Sequence, residues 1–99
     1  MINIHVKYHC DTKENRDSFW QDIRPYGKKV EEEPGNHCYH YYLDTEDDTI
    51  LFLLEEWEDQ ASLELHFKSE NMVEIGKIKS AHNISGADIK KINGELING

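Results

Sequence analysis

Basic residues are scarce in this 99-residue chain: eleven Lys and Arg stand against twenty Asp and Glu, a formal charge of −9. Phosphate binding requires a basic footprint, so this balance excludes nucleic acid and anionic membrane surfaces as partners. The acids gather at Glu31-Glu32-Glu33, Glu46-Asp47-Asp48 and between Glu55 and Asp59, the pattern of a solvated, self-repelling surface. Cysteine is nearly missing as well. Cys10 and Cys38 are too few for a disulfide framework. Long apolar runs are absent; the longest, Ile50 to Leu54, has the length of a strand and not of a membrane span. Met1 to His5 lacks a basic segment followed by an apolar one, so no secretory leader is expected and the cytoplasm is the expected location. With 37% hydrophobic residues, a chain of this length is one small domain over residues 1–99 that would gain from self-association.

What is present is a sequence of clear periodicities. Ile2, Ile4, Val6, Tyr8 and Cys10 alternate with Asn3, His5, Lys7 and His9, which predicts a strand with one apolar face. Asp11 with Glu14 resembles a helix cap, and Phe19, Ile23, Tyr26 and Val30 follow at helical spacing. Pro25 predicts a kink or break in that helix, and Pro34-Gly35 a turn after it. An aromatic-rich strand follows over about 36–44, then a polar connection at Thr45 to Asp48. Ile50 to Trp57 reads as a third strand, apolar on both faces as far as Leu54. Asp59 has the character of an N-cap, with Leu63, His66 and Phe67 on one helical face and Met72, Ile75 and Ile78 on a second helical piece. Ser85-Gly86 ends the helical region, and 87–92 reads as a last short strand before a weak tail beyond Gly94.

Strand, helix, strand, strand, helix, strand is the order of a ferredoxin-like split βαβ fold of the α+β class, an antiparallel sheet with helices on one face. The doubly apolar third strand then needs a second cover. A second copy of the chain, sheet against sheet, supplies it most simply, with Phe52 and Leu54 on the outward face.

The Glu33-Pro34-Gly35 turn, Tyr39 on the strand after it, the Glu55-x-Trp57 strand end, and Ala61, Leu63 and His66 in the following helix occur together in this order. In these features the chain resembles the antibiotic biosynthesis monooxygenase family over essentially its whole length. The resemblance implies a homodimer, a dimeric α+β barrel of two ferredoxin-like subunits. It also implies oxygenation of a small aromatic phenol or quinol by dioxygen without metal, flavin or other cofactor. The deprotonated substrate supplies the electrons, and the protein a dry cavity, an orientation and a base.

On that resemblance His66 is the catalytic base, imidazole being the side chain that changes protonation near neutral pH. Trp57 is a flat apolar wall. His37, Tyr39 and Tyr41 share one parity on the second strand and would orient an aromatic ring. His37 departs from the family pattern, standing where an apolar residue is usual. Glu55 could orient His66, or lie exposed or paired with a lysine. The other residues have packing readings too: Trp57 as a buried strand-end aromatic, His66 as a pin between helix and sheet, Tyr39 and Tyr41 as core aromatics.

The six histidines do not form a metal motif. His5 and His9 share a strand face but stand about 13 Å apart at strand rise, and no pair has zinc spacing. Nucleotide and nucleophile motifs are absent too. Because one fold hosts several chemistries, two alternatives stand beside the monooxygenase. One is an isomerase of a small carbonyl or phosphorylated sugar compound with His66 as proton shuttle. The other is a non-catalytic small-molecule binding protein.

Overall fold

The computed structural model describes residues 1–95 and 97, so the tail expected beyond Gly94 lies partly outside the described residues. The elements run β1 (Ile2–His9), α1 (Lys13–Ile23), α2 (Pro25–Glu31), β2 (Asn36–Leu43), β3 (Ile50–Trp57), α3 (Gln60–Phe67), α4 (Glu70–Ala81) and β4 (Ala87–Asn93). The strands form one sheet in the order β2-β3-β1-β4, and every neighbouring pair is antiparallel. This is the ferredoxin-like α+β fold that the element order predicts.

Local chemistry accounts for the element boundaries. The first cap is Thr12 and not Asp11: the Thr12 Oγ1 accepts from the Asn15 backbone N–H at 3.0 Å. Asp11 lies one residue too early, and its own N–H donates to the Asn15 side chain instead. Pro25 divides the first helical run, α2 beginning at the proline as its first turn. Asp59 caps α3, its Oδ1 accepting from the Ser62 N–H at 2.9 Å, and Ser69 caps α4. In the polar hairpin, Asp44 Oδ1 accepts from the N–H groups of both Glu46 and Asp47, closing the turn.

The core lies between the sheet and the helices. Ile2, Ile4, Val6 and Tyr8 of β1 and Leu51, Leu53 and Trp57 of β3 meet Phe19, Ile23, Val30, Leu63 and Ile75 from the helices. Burying whole side chains of this size contributes roughly 1.5–3 kcal/mol each. The opposite face carries Phe52, Leu54 and Cys38, half-buried, and Tyr42, exposed. His5 meets Phe52 edge-on at 5.7 Å between ring centroids, and Tyr42 lies at 6.3 Å from the same ring. Cys10 is buried, Cys38 lies across the sheet from it beside Glu56, and both are free thiols.

One register feature reshapes the site. Asn36 pairs with Trp57 but Cys38 with Glu56, so β2 carries an extra residue, His37, at a bulge. The Asn36 side-chain amide holds the bulge, donating to the backbone carbonyls of Cys38 at 3.1 Å and Glu56 at 3.3 Å. Next to it, Gly35 has φ 79°, and a Cβ there would come within 2.0 Å of Ser62 Oγ. The turn thus presses onto α3 at a distance only glycine permits.

Candidate functional site

His66 owes its position to the cap at Asp59, which starts α3 in a phase that turns Leu63 and His66 toward the sheet. Its side chain is only 2% exposed. A buried imidazole needs a hydrogen-bond partner, and Nδ1 has one. Nδ1 lies 2.9 Å from Glu33 Oε1, and Nε2 lies 4.0 Å from Glu55 Oε1. Glu33 is itself held, its Oε2 accepting from Asn71 Nδ2 of α4 at 2.8 Å. With Glu33 ionised, Nδ1–H donates to it, which leaves the lone pair on Nε2.

Glu55 points to the helix side of β3 among apolar neighbours. Trp57 Nε1–H donates to its Oε1 at 3.0 Å. The Glu55 pKa is raised to about 7, chiefly by burial; the Trp57 bond opposes the rise and the nearby Glu33 charge adds to it. The carboxyl is therefore divided between its acid and anion near neutral pH, where a proton-transfer group is most effective.

These groups stand at the wall of a cavity of about 310 Å³ between sheet and helices, at the lower end of the range for small-molecule sites. Ile4, Val6 and Ile89 form its floor, and Leu63, Met72 and Ile75 its roof. Tyr8 and Tyr39 contribute phenols. Burial raises the Tyr39 pKa well above the ordinary value, with Tyr41 and Glu55 adding to the effect. Burial, then the charge of Glu55, does the same for Tyr8. Both phenols are neutral donors at any physiological pH. Phe67, expected on the buried helix face, is 57% exposed and sits at the cavity rim.

The six residues singled out from the sequence take four positions. His66, Glu55 and Tyr39 meet in the cavity, the Tyr39 ring 5.7 Å from that of His66. Trp57, fully buried, adds no surface to the cavity. Its ring lies behind His66, 4.7 Å away and tilted by 33°, and its N–H holds Glu55, which matches the packing reading of this residue and not the cavity wall. Tyr41 touches Tyr39 edge-on at 5.8 Å but opens on a groove under α2, beside Trp20 and Arg24. His37 is the correction. The bulge reverses its parity relative to Tyr39 and turns it outward, where Nε2 meets the Glu58 carboxylate.

Glu33, Asn71 and Tyr8 escaped the sequence reading. Tyr8 had a signal, being on the inward parity of β1. Glu33 had entered only as part of the turn that carries the resemblance, and its place in an acidic run gave no sign that it holds His66. Among the described residues, no three His, Cys, Asp or Glu side chains stand close enough to share a metal ion.

The model of the antibiotic biosynthesis monooxygenase family matches residues 1–77. Among curated proteins no sequence matches the chain. Solved structures do. A candidate antibiotic biosynthesis monooxygenase from Deinococcus radiodurans is 17% identical with a TM-score of 0.87, the alignment covering 99% of this chain and 97% of that one. A second candidate of that description, from Nitrosomonas europaea, is 15% identical with a TM-score of 0.85, covering 97% and 100%. A conserved protein from Methanosarcina mazei is 25% identical with a TM-score of 0.82, covering 95% and 92%.

Proposed function

The chain belongs to the antibiotic biosynthesis monooxygenase family, and from that premise we propose that it is a cofactor-independent monooxygenase of a small aromatic quinol or phenol, with His66 as general base. One observation carries the reading: His66 is fixed by Glu33 at Nδ1 and faces Glu55 with Nε2, at the wall of an apolar cavity. This is a base, an orienting carboxylate and a second proton acceptor beside apolar side chains.

A quinol enters with its ring over Ile4 and Val6 and one hydroxyl toward Nε2. Nε2 takes the phenolic proton, and Glu33 stabilises the imidazolium that results. The electron-rich phenolate reduces dioxygen directly. A C–O bond forms at a free ring carbon, the O–O bond breaks, and that carbon loses its hydrogen. A hydroquinone and dioxygen thus become a hydroxyquinone and water. The ring gives up four electrons and dioxygen accepts four, so no outside reductant enters. Tyr39 and Tyr8, held neutral, donate hydrogen bonds to the substrate oxygens.

The working unit is a homodimer in which the outer sheet faces meet through Phe52 and Leu54 and form an α+β barrel. Its place of work is the cytoplasm. An oxygen-electrode screen of one- and two-ring quinols tests the function: uptake proportional to protein and dependent on His66 supports it, and rates equal to buffer alone refute it.

Glu55 near about 7 also favours a second reading, an isomerase moving a proton between adjacent carbons of a carbonyl compound. Solvent deuterium exchange into such a compound without oxygen uptake would identify it.

A further inference from the structure

We propose that the ligand of this cavity is an anionic aromatic compound, a ring carrying a carboxylate or similar acid group that Lys91 and Lys79 receive; as a statement of substrate class it rests on the monooxygenase reading. The charge of the cavity lining is the first reason. The chain as a whole is at −9, yet the charged residues lining the cavity are two lysines, Lys79 and Lys91, and one carboxylate, Glu55. The lining is therefore at +1 with Glu55 ionised and +2 with Glu55 protonated, opposite in sign to the chain as a whole. Glu55, divided between acid and anion, does not neutralise the pair.

Neither lysine is spent on an ion pair. Among the described residues no carboxylate lies within 4.0 Å of either ammonium. Lys91 donates to the neutral side-chain oxygen of Gln60 at the start of α3, and Lys79 Nζ lies 5.6 Å from the centre of the Tyr8 ring. In a chain with nearly twice as many acids as bases, two such lysines on one cavity are available to a ligand anion.

Register supplies the spacing. Tyr39, Glu55, Ile4 and Lys91 are paired in one row across β2, β3, β1 and β4. At about 4.8 Å per strand, Glu55 and Lys91 are roughly 10 Å apart at the backbone, with Ile4 as apolar floor between them. An aromatic ring over Ile4 then has the proton-transfer groups at one end and an ammonium at the other. Lys79, descending from α4, adds a second positive charge over the Tyr8 side of the same space. A hydroxyl directed to His66 and an acid group directed to Lys91 fix the ring in one orientation, which a single polar anchor could not do.

The test separates charge from shape. Binding of 3-hydroxy-2-naphthoate and of its uncharged carboxamide is measured by calorimetry at pH 7 on the wild type and on the Lys79→Gln/Lys91→Gln double variant. The carboxylate should bind about tenfold tighter than the amide to the wild type, in the range of partly screened charge-assisted contacts. The double variant should bind the two alike, with affinity for the amide retained. Equal affinities in the wild type, no binding of the carboxylate at millimolar concentration, or a preference surviving in the double variant would each overturn the proposal. Oxygen is not part of this readout. Charge preference without oxygenation of any quinol sinks the monooxygenase reading alone, and oxygenation with equal affinities sinks the ligand class alone.

Discussion

His66 Nδ1 and Glu33 Oε1 meet at 2.9 Å across 33 residues of chain, joining α3 to the segment that follows α2. This contact fixes which ring nitrogen faces the cavity. In Glu33→Gln the amide oxygen still accepts from Nδ1–H, but the charge that stabilises an imidazolium is gone. Turnover should fall by about 10²-fold with little change in KM, the low end for loss of acid–base function. Steady-state kinetics with the best quinol of the screen gives the answer. A change confined to KM would make Glu33 a binding residue only.

Trp57 should act on chemistry through Glu55. Its N–H favours the anion of Glu55. Trp57→Phe keeps an aromatic ring behind His66 and removes that bond, so the Glu55 carboxyl should titrate above about 7. Carbon-13 NMR of side-chain carboxyls would follow the titration directly. A midpoint that stays put or moves down would contradict the geometry.

Glu55 should also leave a mark on stability. Its pKa is raised from 4.5 when free to about 7 in the fold. Between those values the unfolded chain binds fewer protons than the native one, so the contribution of this group to stability falls as pH rises from about 4.5 to about 7. The full shift corresponds to about 3 kcal/mol at most. Glu55→Gln keeps an acceptor for Trp57 and cannot ionise. Urea unfolding at pH 5 and pH 8 should show the variant losing less stability across that interval than the wild type. Equal losses would mean that Glu55 titrates normally.

The outer sheet face should mediate dimerisation. Phe52 stands at its centre, in contact with His5 and Tyr42, and an interface over this face should bury more than about 1,000 Å². Phe52→Asp places a charge there and should yield monomers or insoluble protein. Sedimentation of a folded wild-type monomer at high micromolar concentration would remove the dimer from the account.

The parts of this molecule that were legible in its sequence are those set by local periodicity. The inward parity of β1, the proline division between α1 and α2, the Asp59 cap and the strand order all follow from spacing and capping chemistry. His37 was misplaced because parity arguments assume an unbroken ladder, and the bulge depends on a side-chain amide, that of Asn36, bridging two strands. The pairing of Glu33 with His66 was unreadable for a different reason. An acid in a run of acids looks solvated, and only tertiary folding brings α3 and α4 over it to supply His66 and Asn71 as partners. Trp57 carried two readings, a cavity wall and a buried strand-end aromatic, since period alone cannot say whether a buried ring lines a cavity or stands behind one of its walls.

The most direct test of the central claim is the fate of labelled dioxygen. Metal-depleted, flavin-free protein is incubated under ¹⁸O₂ with a quinol that has a free ring position, beside the His66→Ala variant and a protein-free control. The account predicts one ¹⁸O atom in each molecule of hydroxyquinone, with a rate about 10² to 10⁴-fold lower in His66→Ala at unchanged circular dichroism. Product lacking the label, or labelled product formed equally fast by the variant or by buffer alone, would contradict it.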